Sequence, residues 1–189
     1  MRTILGIDPG TNIMGYGIIE SEGNSVHCVA LGVVDLRKVS DPYQKLKMIF
    51  DRTQGLILSY KPDELAIESQ FYAKNAQSML KLGRAQGVAI AAAVYNNLNV
   101  YEYTPRKIKM SVTGSGSSTK EQVALMVASL LHISEMPDHY DATDALAVAV
   151  CRFFNPHSDE IKQVKTKSKH NSHTAWKDFL TQNPDRIAN

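Results

Sequence analysis

The sequence predicts an α/β fold, a mixed five-stranded sheet with helices on both faces. Three observations carry that expectation. Strand-like runs come first, at 3–8, 14–20 and 25–36. From residue 41 onward, helical runs alternate with short apolar ones. The chain has 189 residues, 43% of them hydrophobic, which suits one sizeable core and makes two domains unnecessary. A run of strands followed by β–α alternation gives a sheet that is partly antiparallel, partly parallel and covered on two sides.

Each element has its own signal. Thr3–Asp8 is an apolar run ended by Pro9-Gly10, a turn pair. Met14–Glu20 and Ser25–Leu36 flank Glu22-Gly23-Asn24 and read as two more strands of an antiparallel meander. Asp41-Pro42 is an N-cap followed by proline at the first helical position. Leu46, Ile49, Phe50, Leu56, Ile57 and Tyr60 follow at helical spacing. Leu65-Ala66-Ile67 is a short buried strand after the Lys61-Pro62-Asp63 break. A long helix is expected from Ala76 to Tyr95, with Gly83, Gly87 and Ala91 along one face. That small-residue stripe permits close approach of another backbone, from the core or from a second subunit. Val100–Tyr103 reads as a strand and Thr113–Ser118 as a flexible loop. Ser118 and Glu121 match a capping box ahead of a helix to about His132, and a last helix runs from near His139 to near Phe154.

Composition divides the chain at residue 155. Residues 1–154 carry 15 basic and 15 acidic side chains, whereas 155–189 carry six basic, four acidic and only eight hydrophobic residues. The expectation is one folded domain over 1–154 and a polar, disordered tail over 155–189. Cys28 and Cys151 form no CxxC pair, which excludes a disulfide scaffold and suits reduced thiols. No apolar run approaches the ~20 residues of a membrane span, and Met1-Arg2-Thr3 leads directly into a strand with no signal peptide. A cytoplasmic protein is expected.

Four acids stand out by position. Asp8 ends the first strand and Glu68 ends the Leu65-Ala66-Ile67 run. Asp141 and Asp144 are three apart near the start of the last helix, so they share a face. Taken singly, each has an ordinary role: a turn former, a solvated strand end, or a charge serving the helix dipole. Together they can converge at one sheet edge if the first and fourth strands are neighbours. Converging carboxylates repel, and hard divalent cations such as Mg²⁺ relieve that repulsion. Two such ions ~3.5–4 Å apart are suited to phosphodiester cleavage.

At these residues the sequence resembles a known family. Ile4-Leu5-Gly6-Ile7-Asp8-Pro9-Gly10 with Gly15-Tyr16-Gly17 is similar to the opening of the RuvC Holliday junction resolvases. Ala66-Ile67-Glu68, followed by Phe71, Ala73-Lys74-Asn75 and Leu80-Lys81-Leu82-Gly83, resembles their second motif. Asp141-Ala142-Thr143-Asp144-Ala145-Leu146-Ala147 resembles their last. The resemblance spans Ile4 to about Phe154. It implies a ribonuclease-H-like fold and a homodimer that cuts two strands of a four-way DNA junction by paired symmetric nicks, in recombination and repair. It implies Asp8, Glu68, Asp141 and Asp144 as ligands of two Mg²⁺ per subunit, with Mn²⁺ able to substitute. It also implies Phe71 as an aromatic that contacts junction bases, Lys109 and Lys120 as supports of DNA binding and cleavage, and a RuvA-RuvB branch-migration complex as partner.

The basic residues suit that role on physical grounds. Lys74, Lys81, Arg84, Lys107, Lys109 and Lys120 are phosphate-contact candidates if several share a face. An ordinary solvated helix face remains the alternative for Lys81 and Arg84. Three rivals stay open from the sequence. Asp8-Pro9-Gly10-Thr11 also resembles the phosphate loop of actin-like ATPases, although 189 residues leave little room for a second lobe. A junction-binding protein without catalysis would need the basic residues but not the four acids. A related nuclease of the same fold could act on other nucleic acid.

Overall fold

The computed structural model describes residues 1–69 and 76–156. Its sheet is mixed and five-stranded, in the order β3-β2-β1-β4-β5. The strands are β1 (Arg2–Asp8), β2 (Ile13–Glu22), β3 (Ser25–Asp35), β4 (Glu64–Glu68) and β5 (Asn99–Tyr103). The helices are α1 (Pro42–Tyr60), α2 (Ala76–Tyr95), α3 (Pro105–Thr113), α4 (Lys120–Leu130) and α5 (Tyr140–Phe154). β1, β2 and β3 form the expected antiparallel meander, and β4 runs parallel to both β1 and β5. The β2–β3 turn is tight: Glu22 pairs with Ser25, and Gly23 takes a φ of +60° that favours glycine.

The two sheet faces bury two separate cores. Leu5, Ile7, Tyr16, Ile18, Leu65 and Ile67 point toward α1 and α2. Ile4, Ile19, Ala66, Tyr101 and Tyr103 point toward α3, α4 and α5. Strand alternation decides this, because β1 places odd positions on one face and even positions on the other. Asp8 therefore shares a face with Ile4 and Gly6, and Glu68 shares a face with Ala66. Both end on the α5 side.

α5 lies very close to that face. A Cβ on Gly6 would stand 2.2 Å from the Ala145 carbonyl oxygen, and one on Gly15 would stand 1.8 Å from that of Asp141. Only glycine permits this approach. Residues 145–151 of α5 are all fully buried.

Three elements differ from the sequence reading. α3 was not expected, yet Thr104 caps it by accepting from the Lys107 backbone N–H (3.2 Å), with Pro105 at its first turn. This is the signal that marks α1, where Asp41 accepts from the Tyr43 N–H. The capping box of α4 falls one residue later than expected, on Thr119 and Gln122. Ser118 is instead buried, its hydroxyl 2.7 Å from that of Thr113. On α1, Ile49, Thr53, Leu56 and Ile57 form the buried stripe, while Phe50 and Tyr60 remain exposed at its margin and end.

Candidate active site

The β1–β4 register determines the first pair of acids. Gly6 pairs with Ala66 and Ile7 with Ile67, so the next position sets Asp8 beside Glu68. Across β1, Asp8 pairs with Gly15, the residue that admits the Asp141 backbone. α5 runs from this edge toward the opposite one, so its first turns deliver Asp141 and Asp144 to the same place. The three elements that hold the acids are thus fixed by sheet register and by glycine contacts, not by loops.

Electrostatics show that the acids share one field. Burial pushes the Asp8 carboxyl well above its ordinary range, and the charges of Glu68, Asp144 and Asp141 push it further. Burial likewise raises Glu68 to about 7, with Asp144 adding to the effect. Two lysines oppose this. Lys120 lowers both Asp8 and Glu68, and Lys109 lowers Glu68. The Lys120 ammonium donates to Asp144 Oδ2 at 2.7 Å. Burial disfavours the Lys120 charge, but that bond and the nearby acids outweigh it and raise its pKa. Lys120 is the first residue of α4, where a cation works against the helix dipole. Its carboxylate partner offsets that cost.

Among the described residues, no three His, Cys, Asp or Glu side chains already close into a metal cage. The donor chemistry nevertheless fits a hard divalent cation. The donors are all carboxylate oxygens, and the repulsion that raises Asp8 and Glu68 is what such a cation would relieve.

The expected basic residues divide into groups. Lys109 and Lys120 stand beside the acids. Lys107 is exposed on α3, and its charge registers at Cys151 on the far half of α5. Lys81 and Arg84 lie on α2, on the other face of the sheet, where they line a cleft with residues of α1. Phe71 and Lys74 lie outside the described residues, as does the tail from 157. Two participants were not legible in the sequence. Gly15 was noted only as part of a motif, yet it determines how near α5 comes. Arg37 sits in the loop after β3, held charged first by Asp35 (2.7 and 3.0 Å) and then by the field of Asp141. Gly15 carries no local pattern because it acts through Asp141, far along the chain, whereas Arg37 pairs locally with Asp35 and only its reach to Asp141 depends on the fold.

Comparison with known proteins places the chain in a family. The family model for crossover junction endodeoxyribonuclease RuvC matches residues 4–152. The chain is 50% identical over 186 residues to the crossover junction endodeoxyribonuclease RuvC of Christiangramia forsetii, covering 98% of this chain and 93% of that one. It is 50% identical over 186 residues to the same enzyme of Cytophaga hutchinsonii, covering 98% and 88%. A solved structure of Thermus thermophilus RuvC in complex with Holliday junction substrate superposes with a TM-score of 0.78 at 29% identity, over 82% of this chain and 95% of that one. The ribonuclease-H-like expectation for the fold holds. With the family model over most of its length and relatives at half identity across nearly all of it, the chain belongs to the RuvC family of crossover junction endodeoxyribonucleases.

Proposed function

We propose that Asp8, Glu68, Asp141 and Asp144 form the cleavage centre of a divalent-metal-dependent endonuclease that resolves four-way (Holliday) DNA junctions in recombination and repair. One observation carries this reading: β1, β4 and α5 bring these acids into one another's field at a single sheet edge, with Lys109 and Lys120 beside them. A nucleotide-binding role gives no reason for four converging acids, and neither does junction binding without cleavage.

The chain's residues divide the work. The ionised acids would hold Mg²⁺, two ions per subunit, with Mn²⁺ able to substitute. When bound, the metal supplies an activated water and a counter-charge for the leaving oxygen. Lys120 holds Asp144 in place before DNA arrives and then offers its ammonium to a phosphate oxygen. Lys109 contributes a second phosphate contact, and Phe71, Lys74, Lys81, Arg84 and Lys107 extend the DNA surface. The nuclease domain is 1–154, with 155–189 as a polar extension.

Paired nicks need two centres. The exposed α2 stripe of Gly83, Gly87 and Ala91, flanked by exposed Leu80, Val94 and Tyr95, suits a second copy of the chain. Nothing lies within 4 Å of a Cβ built on either glycine. Homodimerisation there and handover from a RuvA-RuvB branch-migration complex belong to this proposal, as does a cytoplasmic location. Among the described residues, no helix is long and apolar enough to cross a membrane.

The test is cleavage of a synthetic four-way junction against linear duplex, with and without Mg²⁺, by wild type and Asp8→Asn. Paired symmetric nicks in the junction alone, lost in the variant and without metal, are the expected result. Retained turnover in Asp8→Asn would remove that residue from the centre.

A further inference from the structure

The cleft beside Lys81 and Arg84 has a composition that the cleavage centre does not use. It has a volume of about 280 Å³ and lies between α1, α2 and the β1–β2 loop. Its floor is apolar, formed by Leu46, Ile49 and Ala85, and three cations surround it: Lys45, Lys81 and Arg84. Among the described residues, no carboxylate lines it. The nearest acid in sequence, Asp41, is already engaged by the Tyr43 N–H at 3.0 Å.

The contrast with neighbouring cations is informative. Lys47, also on α1, is paired with Asp51 one turn on. Arg52 donates to the Tyr16 hydroxyl and lies over its ring. Among the described residues, Lys45, Lys81 and Arg84 form no ion pair. Lys45 is nevertheless held in position: its ammonium donates to the Thr11 carbonyl at 3.0 Å, which leaves two N–H groups for a ligand. Three unpaired cations over an apolar floor call for an anion with an apolar portion. Tyr43, 74% exposed at the rim, offers a ring face.

Position narrows the ligand. Thr11 follows Asp8 by three residues, so the cleft opens at the same end of β1 as the carboxylates but on the other sheet face. We propose that this cleft is a second DNA subsite. It takes one phosphodiester on Lys45, Lys81 and Arg84, with the adjoining sugar and base against the apolar floor and Tyr43. The volume is on the scale of one nucleotide. A strand crossing this end of the sheet would be gripped here and cut at Asp8. The inference rests on the chain acting on DNA, and it adds Lys45 and Tyr43 to the contacts.

The experiment measures junction binding against salt concentration in full-length Asp8→Asn background, which removes cleavage from the readout. Lys45→Gln is expected to lower the slope of log K against log [salt] by about one, as for the loss of one phosphate contact. Tyr43→Ala is expected to weaken binding by roughly tenfold with little change in slope. Lys47→Gln, outside the cleft and paired with Asp51, is the control and is expected to change neither. An unchanged slope in Lys45→Gln, or an equal change in Lys47→Gln, would overturn the subsite. A deoxynucleoside monophosphate that raises the melting temperature through Lys45, while junction binding ignores Lys45→Gln, would assign the cleft to free nucleotide and overturn it as well. Wild type that cuts junctions while Lys45→Gln binds normally would sink this inference alone. Wild type that cuts no junction would sink the cleavage proposal.

Discussion

At one end of the seam between β1, β4 and α5, Glu64 lies between Arg2 and Arg152; at the other, Glu68 faces Asp8 and Asp144. The same three elements build both ends, and the residues concerned share one face of the sheet. Glu64 and Arg152 are only 5% and 4% exposed. Arg152 donates to Glu64 Oε2 at 3.0 Å and to the carbonyls of Asn155 and Pro156, and its guanidinium covers the Tyr101 ring. Arg2 engages the other Glu64 oxygen. At the opposite end four acids face two lysines, and Asp8 and Glu68 are forced toward their protonated forms. A buried charge with partners holds the fold together, whereas a cluster short of counter-charge costs stability and leaves a place for cations. The two ends should therefore fail in different ways when altered.

The largest effect is expected at the acidic end. Asp8→Asn should lower junction cleavage by several kcal/mol of transition-state stabilisation, roughly 10³-fold or more, while sparing binding. Glu64→Gln, four positions before Glu68 on the same strand, should leave cleavage per folded molecule near wild type. Rates from active-site titration decide this. A folded Glu64→Gln protein without activity would break the division between the ends.

The paired end should fail in stability. Arg152→Met leaves Glu64 with Arg2 alone and removes the guanidinium that donates to the carbonyls of Asn155 and Pro156. A loss of about 3–5 kcal/mol is expected in urea unfolding. The double variant with Glu64→Gln should lose less than the sum of the singles, because the uncompensated charge is gone. Strict additivity would show that the two side chains do not act as a pair.

Gly15→Ala sharpens the comparison at smaller scale. Its Cβ would meet the Asp141 backbone oxygen at 1.8 Å, so the start of α5 has to move. Cleavage should fall by roughly 10- to 100-fold, with about 1–3 kcal/mol lost in stability. Gly17→Ala is the control: its Cβ meets Leu146 Cδ2 at 2.6 Å and the Leu146 backbone nitrogen at 3.0 Å, a looser backbone approach than at Gly15 and further along α5 from Asp141. Stability should suffer, and the dependence on Mg²⁺ concentration should change less than in Gly15→Ala. Equal shifts in Mg²⁺ dependence for both variants would remove Gly15 from the positioning of Asp141.

Much of this was legible in the sequence because it is written in local patterns. Strand-like runs bounded by turn signals revealed β1 to β3, Asp41-Pro42 marked α1, and strand ends pointed to Asp8 and Glu68. Thr104-Pro105 carried the same helix signal for α3, but the following Arg106-Lys107-Ile108-Lys109 run reads as a basic segment before it reads as a helix. The paired end was not legible at all. Glu64 and Arg152 are 88 residues apart, and a glutamate at a strand start is ordinarily solvated. The cleft cations were visible only as scattered charges, because α1 and α2 meet through tertiary packing. Pairings across the sheet depend on topology, and topology emerges only once strand order is known.

The smallest expected effect concerns pH, and its sign separates the two ends most cleanly. Glu68 is raised to about 7 from an ordinary 4.5, chiefly by burial and then by Asp144. Between those values the folded protein keeps a proton that the unfolded chain has released. Stability from this group therefore falls as pH rises through that window, and Asp8 acts in the same direction. Glu68→Gln cannot ionise. In metal-free buffer at pH 8 it should be more stable than wild type by roughly 1–2 kcal/mol, allowing for solvent screening of a partly exposed group. The gap should close toward pH 4.5. Saturating Mg²⁺ at pH 8 should raise the wild-type melting temperature and move the variant less, since binding to the native state alone stabilises it. Glu64→Gln should do the reverse, destabilising at pH 8 while keeping the wild-type rise in melting temperature with Mg²⁺. If Glu68→Gln and wild type unfold alike in EDTA from pH 5 to 8, the acids do not share one field and the contrast between the two ends collapses.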